Sequence, residues 1–484
     1  MSSHAHAESS EHAPRTLEAM LKAIGVPLAI IVAAAIWFTP TSESLSLQGH
    51  KALALFGAIF VLYLTEAIPL AIASLMVVPL TVLTGTANLR TALDGFSASP
   101  VYLIVGAFIL ATAMVKTRLA ERITYIILAR FGSAPTRITL GVTLANIALA
   151  FLVPSSMART AILLPECLSI LAIFGSGVRS PFAVNLLLTL TMTNATIGAG
   201  ILTATVPNPV TVEFVAKASG HTITYAEWLL YGFPPALIMT MFTWWFIQRV
   251  FPPEFKAGHE EADARISQNL VAMGRMSLAE WRALAVFVLV TCLWATQGLT
   301  GLDTTVVCLL GACLLFLPRF GVIDWSDANK GVSWQVLDRG RWSVTRRYPA
   351  KDRRRQLAGQ LDFPRARFSR CVGAHRHRGR DVHRAIHARG VCWHDRHATA
   401  LLPIILAMAG TAGVNPVALA LPAGMIIGGY PLLMFYNTLP SILVYGTGKL
   451  RVEDFPKVGV VVCIVACLLY SLCAATWWHW LGLV

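Results

Sequence analysis

The sequence is poor in charged residues. Asp, Glu, Lys and Arg make up only 13% of its 484 residues, whereas a soluble globular protein carries about 25%. Hydrophobic residues reach 56%, and the mean hydropathy is +0.63. This composition excludes a soluble domain and predicts an all-α polytopic protein that crosses the cell inner (plasma) membrane several times.

Patterns of catalysis and metal binding are also lacking. No nucleophile–base pair or metal-ligand spacing appears, so we expect neither an enzyme nor a bound cofactor. The nine cysteines are scattered through apolar stretches, which is typical of buried small side chains. Residues 1–22 are polar and precede many apolar runs, so we expect a cytosolic tail and a first span and no cleaved signal peptide.

Apolar runs dominate the rest of the chain. We predict spans at 20–38, 52–68, 71–83, 101–115, 139–153, 161–175, 228–251, 284–295, 305–317, 401–412, 417–435 and 458–481. Several are shorter than the roughly 20 residues that a simple span needs. Short, interrupted segments are typical of the re-entrant hairpins and broken helices of secondary transporters.

A weak internal repeat indicates a duplicated architecture. Leu163-Leu-Pro165 recurs as Leu401-Leu-Pro403, and Thr205-Val-Pro207-Asn208 recurs as Thr438-Leu-Pro440-Ser441, at offsets of 238 and 233 residues. We therefore predict a polar tail (1–19), a first membrane repeat (20–251), a polar linker (252–278) and a second membrane repeat (279–484).

Residues 338–397 differ sharply from the rest of the chain. They hold 17 Lys and Arg against 5 Asp and Glu, and this excess accounts for +12 of the chain's net charge of +14. Such a segment cannot cross a membrane, because each charge at a span centre costs about 2.5–3.5 kcal/mol. The repeat nevertheless requires membrane-embedded structure here.

Three interpretations of this block stay open. It could be a polybasic cytosolic loop that touches lipid or nucleic acid, or a zinc site, although the spacing of its two cysteines and six histidines fits no known ligand pattern. The third is that it is translated out of frame. Reading one base later from Asp338 permits small, apolar residues in place of the Arg-rich sequence, which is why we favour a compensated frameshift.

A polar stretch interrupts two apolar runs near the middle of the first repeat. Ser155, Ser156, Arg159 and Thr160 follow Pro154 directly. Unpaired polar groups in hydrocarbon are costly, so such a stretch is expected to line a solute cavity or to be buried in protein. Alternatively, the hydroxyls only ease helix packing, and Arg159 reaches the membrane interface.

These motifs resemble the divalent anion/sodium symporter (DASS) family, from about Leu53 to Gly459. Pro154-Ser-Ser-Met-Ala-Arg159 is similar to the family's Pro-Ser-Asn-Thr-Ala-Arg variant, with Asn and Thr replaced. Thr203-Ala-Thr205-Val-Pro207-Asn208 resembles its Thr-Pro-Pro-Asn loop, and so does Asn437-Thr438-Leu-Pro440-Ser441, with Ser in place of Asn. A second Ser-Asn-Thr motif would fall at 393–395, inside the basic block.

The resemblance implies two inverted repeats, an elevator-type mechanism and a homodimer. It also implies that a small anion binds at Ser155, Ser156, Arg159, Thr160, Thr205, Pro207, Asn208, Asn437, Thr438, Pro440 and Ser441, with a sodium site near Ser155, Ser156, Gly200 and Thr203. Neutral donors suit a dianion because they do not hold it too tightly, and hydroxyl and carbonyl oxygens suit sodium.

We therefore expect a secondary active transporter of a dicarboxylate, a tricarboxylate or sulfate, coupled to sodium or to anion exchange, without a nucleic-acid partner. The alternatives are an arsenite or sodium/proton carrier, an inactive frameshifted relic, or a membrane-anchored regulator whose basic loop binds nucleic acid or metal. An arsenite or proton carrier would have carboxylates deep in its spans, and few are seen.

Overall fold

The computed structural model describes residues 17–40, 47–65, 67–93, 98–177, 179–255, 258, 260–332, 401–406, 408–409 and 414–483. These residues form helices, turns and loops, and no strand occurs among them. The chain divides into two compact units, whose described parts run up to Val101 and from Tyr102 onward.

The first unit contains four helices, α1 (Leu17–Phe38), α2 (Leu47–Thr65), α3 (Leu70–Leu83) and α4 (Leu89–Leu93). Small residues let α1 and α2 approach closely. A Cβ atom added at Gly57 would lie 2.8 Å from Ile36 Cδ1, and Ala29 and Ile59 belong to the buried core of this unit. The short distance explains why glycine stands at this contact.

The second unit, with α5 starting just before it, contains most of the helices. Before the basic block these are α5 (Ser99–Lys116), α6 (Leu119–Phe131), α7 (Pro135–Leu152), α8 (Ser156–Ile173), α9 (Pro181–Gly198), α10 (Pro207–Ser219), α11 (Tyr225–Val250), α12 (Glu260–Ala272), α13 (Leu278–Ala295), α14 (Gln297–Thr300), α15 (Thr304–Leu314) and α16 (Trp325–Gly331).

After the basic block, residues 401–406 are helical. They are followed by α17 (Pro416–Gly429), a 3₁₀ turn (Phe435–Asn437), α18 (Leu439–Tyr445), α19 (Asp454–Ala475) and α20 (Trp477–Trp480).

Six stretches of the described residues are long and apolar enough to cross a membrane. They are α5, α7, α8, α11, α13 and the segment Asp454–Trp480. Five shorter apolar helices accompany them, including α15 and α17. The predicted all-α polytopic membrane protein is thus confirmed.

Two breaks in the second unit determine where polar groups collect. Helix α7 ends at Leu152, and α8 starts at Ser156 after three non-helical residues, as the interruption at Pro154 predicts. Helix α9 ends at Gly198, and α10 starts at Pro207. Both α7 and α8 pack against α9, so the two breaks belong to one group of helices.

The structure differs from the predicted spans at several places, two of which concern the helices around the breaks. Helix α9 was not among the predicted spans, because its buried threonines and asparagines lower its hydropathy. Its start is nonetheless well defined, since Ser180 Oγ accepts a hydrogen bond from Ala183 N at 3.1 Å and Pro181 occupies the first turn. Helix α17 ends at Gly429, six residues before the predicted end of its span.

A buried ion pair fixes the turn between α12 and α13. Arg122 on α6 donates from Nε to Glu280 Oε1 at 2.6 Å and from Nη1 to Gly274 O at 2.8 Å. The side chains are only 8% and 5% exposed. Glu280 also accepts from Ser277 N, so one carboxylate caps α13 and neutralises the arginine.

We expect Arg122→Ala to destabilise the protein strongly, because it leaves the buried carboxylate of Glu280 without its counter-charge. Losing one partner of a buried pair costs about 3–5 kcal/mol. Arg451→Ala is the matched control, since its ion pair with Glu453 is exposed and should contribute less than about 1 kcal/mol. Thermal unfolding followed by tryptophan fluorescence measures both; equal shifts would contradict the assignment.

Candidate functional site

The first break is held by a cap and by a neighbouring helix. Ser155 Oγ accepts a hydrogen bond from Ala158 N at 3.2 Å and so caps α8. The carbonyl of Ser156 accepts from Asn194 Nδ2 at 2.8 Å. Thr160, one turn further along, is buried and accepts from the same Nδ2 at 2.7 Å. The break is therefore fixed from α9.

Arg159 is completely buried, with 0% of its surface exposed. Its Nη1 donates to Val153 O at 2.8 Å and reaches Ala204 O at 3.5 Å. Its Nε donates to Asn194 Oδ1 at 2.6 Å, and Nη2 reaches Asn194 O at 3.4 Å. The alternative in which Arg159 reaches the membrane interface is wrong, because the guanidinium is enclosed by protein carbonyls.

The second break, residues 199–206, is held from within by Asn208. Its Nδ2 donates to Gly198 O at 2.8 Å and to Ile201 O at 2.9 Å. Trp228 Nε1 donates to Ala199 O at 3.2 Å. In the described part of the chain, Asn208 Oδ1 and Thr205 Oγ1 are buried without a hydrogen-bond partner. Two oxygens at this break thus remain available to accept a hydrogen bond or contact a cation.

A small cavity joins the two breaks. Its volume is about 10 Å³, which is room for a single water. Residues of both breaks line it, including Pro154, Thr203 and Thr205. Of the residues predicted to bind the anion or sodium, Thr203 and Thr205 therefore line this cavity, together with Pro154 of the first break.

The ends of α9 and α17 lie side by side. A Cβ atom added at Gly429 would lie 2.6 Å from Ala199 Cβ, and one added at Gly428 would lie 2.6 Å from Asn208 Oδ1. Two helices from opposite sides of the basic block thus stop at the same place.

The loop after α17 contributes hydroxyls to the same group of helices. Thr438 Oγ1 accepts a hydrogen bond from Ser441 N at 3.2 Å and donates to Ser441 Oγ at 2.8 Å. Ser441 Oγ lies 3.0 Å from Thr191 Oγ1 on α9. Asn437 ends the 3₁₀ turn and is only partly buried. Pro207 and Pro440 occupy the first turns of α10 and α18.

The residues predicted near sodium have different neighbours in the structure. Of the residues predicted near sodium, Gly200 packs against α11, where an added Cβ would lie 2.7 Å from Ala236 Cβ. Thr203 lines the cavity and Ser155 caps α8. The predicted second Ser-Asn-Thr position, residues 393–395, is outside the described residues.

Sequence reasoning did not assign a site role to the buried polar residues of α9. Asn194 binds Arg159, Ser156 and Thr160, and Thr193 accepts from Asn146 Nδ2 at 2.9 Å. The signal was present in the sequence, because α9 carries the buried residues Asn185, Thr189, Thr191, Thr193, Asn194 and Thr196 within 18 residues. Polar residues at that density in an apolar region indicate a helix surrounded by protein.

Glu166 on α8 belongs to a different polar group. Its Oε1 accepts from Tyr125 Oη at 2.5 Å and its Oε2 from Asn269 Nδ2 at 3.5 Å. Burial, together with this carboxylate, raises the pKa of Tyr125 on α6 well above its ordinary value, so the phenol stays protonated and donates. This network ties α8 to α6 and α12 and involves neither break.

The chemistry of the two breaks suits a small anion. The hydroxyl residues Thr203 and Thr205 line the cavity among apolar side chains, and the amide of Asn208 and the buried guanidinium of Arg159 lie at the same breaks. A dianion needs hydrogen-bond donors and a favourable potential in a region of low dielectric constant, and these groups supply both. The unpartnered oxygens of Thr205 and Asn208 are of the type that a hard cation prefers.

Comparison with known proteins found one family model and several named transporters. Residues 21–338 and 394–484 match the model described as the sodium:sulfate symporter transmembrane region. The putative malate transporter YflS of Bacillus subtilis is 25% identical over 95% of this chain and 97% of that protein. Dicarboxylate transporter 1, chloroplastic, of Spinacia oleracea is 29% identical over 64% of this chain and 55% of that protein. The sodium-dependent dicarboxylate transporter SdcS of Staphylococcus aureus (strain NCTC 8325 / PS 47) is 24% identical over 89% and 86%.

Gly429→Ala should separate the ends of α9 and α17, because its Cβ would overlap Ala199. Overpacking of this kind costs roughly 1–3 kcal/mol, and we expect a lower unfolding temperature. Gly298→Ala is the control, since no atom lies within 4 Å of its added Cβ. Thermal unfolding compares the two; an unchanged midpoint for Gly429→Ala would show that the two helix ends are not in close contact.

Proposed function

Because the chain belongs to the sodium:sulfate symporter family, we propose that it is a secondary active transporter of a small dicarboxylate, driven by a sodium gradient or by exchange for another anion. The resemblance seen in the motifs is confirmed by the family match. The chain is thus a membrane transporter of the anion-transport type and not an enzyme.

The observation that carries the proposal is the meeting of two helix breaks around a buried arginine. Neither the tip at Pro154 nor the loop at Thr205 follows regular helix geometry, and both face one cavity. Interrupted helices inside a membrane protein are expected where a solute binds, since elsewhere their free backbone groups would be a cost.

Dicarboxylates are favoured over sulfate and tricarboxylates by the relatives, whose names are those of malate and dicarboxylate transporters. We propose Ser155, Ser156, Thr205, Asn208, Thr438 and Ser441 as the polar residues that contact the anion or line its path. Sodium coupling is supported by the sodium-dependent relative. We propose that side-chain oxygens of Thr203, Thr205 and Asn208, at the second break, bind the sodium ion. The homodimer and the elevator movement belong to the same proposal.

An arsenite or sodium/proton carrier fits less well. Such a carrier would have a carboxylate at its site. Glu166 lies within a spanning helix, but its hydrogen bonds are to Tyr125 and Asn269, and it contacts neither break. A regulator whose basic loop binds nucleic acid or metal is also less consistent with the family match, which covers both sides of the basic block and resumes at residue 394.

The family match supports the hypothesis that the basic block is out of frame. It leaves out residues 339–393, and the block identified by charge runs from 338 to 397. If the block were native, 17 basic residues would stand where the repeat requires membrane-embedded sequence. We therefore propose that the restored reading frame encodes the missing part of the second repeat.

Sequencing the source gene across codons 330 to 405 tests this proposal. Relative to the printed frame, we expect the gene to have one base fewer near codon 338 and one base more near codon 397, so that the shifted frame encodes an apolar, glycine-containing segment. If the gene carries the present frame, the proposed restored frame is not expressed, and the inactive frameshifted relic becomes the better interpretation.

Uptake into proteoliposomes by the frame-restored protein tests the transport proposal. We expect malate and succinate to accumulate with an inward sodium gradient or with internal dicarboxylate. Ser155→Ala should lower uptake by about 10- to 100-fold, the effect of losing a hydrogen bond to a charged ligand. Asn208→Ala should lower uptake to a similar extent, because it removes the amide that holds the second break. Ser219→Ala, exposed at the other end of α10 from Asn208, is the control. Unchanged uptake in both site variants would refute the assignment of these residues.

A further inference from the structure

Among the described residues of the second unit, two arginines are buried, and their surroundings differ. Arg122 is neutralised by Glu280 at 2.6 Å. Arg159 is buried more deeply, yet no carboxylate of the described segments forms an ion pair with it. Its acceptors are carbonyl and amide oxygens. A buried charge without a counter-charge is strongly unfavourable, so its presence next to both breaks calls for an explanation.

The hydrogen bonds of Arg159 connect the two breaks. One Nη1 N–H is directed at Val153, which leads into the first break, and Nη1 also reaches Ala204 in the second. The Nε and Nη2 groups are directed at Asn194 on α9, the helix against which α7 and α8 pack. A single planar group therefore touches the first break, the second break and the helix between them.

We propose that Arg159 is a positioning residue that holds both breaks as one rigid half-site and gives this half-site its fixed positive charge. The bound dianion supplies the counter-charge that the described residues do not. This inference rests on the proposed transport of a dianion, and it deepens that proposal by assigning selectivity for charge to Arg159 and Asn194.

Geometry argues against Arg159 as a direct ligand. Four of its contacts are already to protein oxygens, and the guanidinium is 0% exposed. Its charge acts on the anion through space, where a low dielectric constant screens it weakly. Lysine cannot replace it, because one ammonium lacks the planar fork that reaches Val153, Ala204 and Asn194 together.

Asn194 completes this arrangement as a neutral partner. Its Oδ1 accepts from Arg159, while its Nδ2 donates to Ser156 O and Thr160 Oγ1. An aspartate here would keep the bond to Arg159 and neutralise its charge, and it would also remove the donor to Ser156 O. The amide therefore fixes the guanidinium without removing the positive potential that a dianion needs.

Hydrogen exchange measured by mass spectrometry on the purified chain, with the sequence as printed, tests the positioning role without any transport. In Arg159→Lys we expect residues 151–157 and 199–206 to exchange faster together, on the order of tenfold or more, because both lose a shared partner. Arg122→Gln is the control and should affect residues 273–275 instead, whose carbonyls Arg122 binds. Faster exchange at 151–157 alone would overturn the bridge between the breaks.

Asn194→Asp in the frame-restored protein tests the charge. We expect its KM for succinate to rise on the order of tenfold, the expected result of cancelling a unit charge near a dianion in a weakly screened site, with little change in Vmax. Arg159→Lys should instead lower Vmax, because the half-site is no longer rigid. An unchanged KM in Asn194→Asp, with wild-type exchange at both breaks, would overturn the role of the charge.

The two experiments separate this inference from the proposed function. If the frame-restored wild-type protein transports no dicarboxylate, the proposed function fails and the role of the charge fails with it. The exchange result for Arg159→Lys then still decides whether the arginine bridges the breaks.

Discussion

Every carbonyl left free by a helix break inside a membrane protein needs a hydrogen-bond donor, because no bulk water is present to supply one. In this chain the donors are side chains. Arg159 donates to the carbonyls of Val153 and Ala204. Asn208 donates to those of Gly198 and Ile201, and Trp228 donates to that of Ala199. These five carbonyls of the breaks are thus paired, which stabilises the non-helical backbone.

This requirement also explains which small residues stand near the breaks. Donors can reach the carbonyls only if the surrounding helices approach closely, and Gly428 and Gly429 allow α17 to meet the end of α9. Side-chain bonding and close packing therefore depend on each other here. A polar network that is fully satisfied specifies one arrangement of helices, whereas a partly satisfied one would not.

Much of the fold and part of the site could be predicted from the sequence. Pro154 and Ser155 predict the first break, because proline and capping residues act locally. The second was expected as a loop because the Thr205–Asn208 motif resembles the loop of the family. Helix α9 was missed, since hydropathy cannot distinguish a polar helix buried in protein from a loop. The contacts of Asn194 and Thr191 depend on neighbours 35 and 250 residues away, which no local pattern contains. The second Ser-Asn-Thr position falls in the basic block and stays a prediction.

Helix α9 has a consequence for protein engineering. Sixteen of its 18 residues are buried, so its environment is the protein interior, although it belongs to a membrane protein. Its threonines and asparagines follow the rules of a soluble core, in which a polar group is retained when it has a partner. Hydrophobic redesign of this helix to improve expression in membranes would make its sequence look more like a span, while removing the donors that hold the first break.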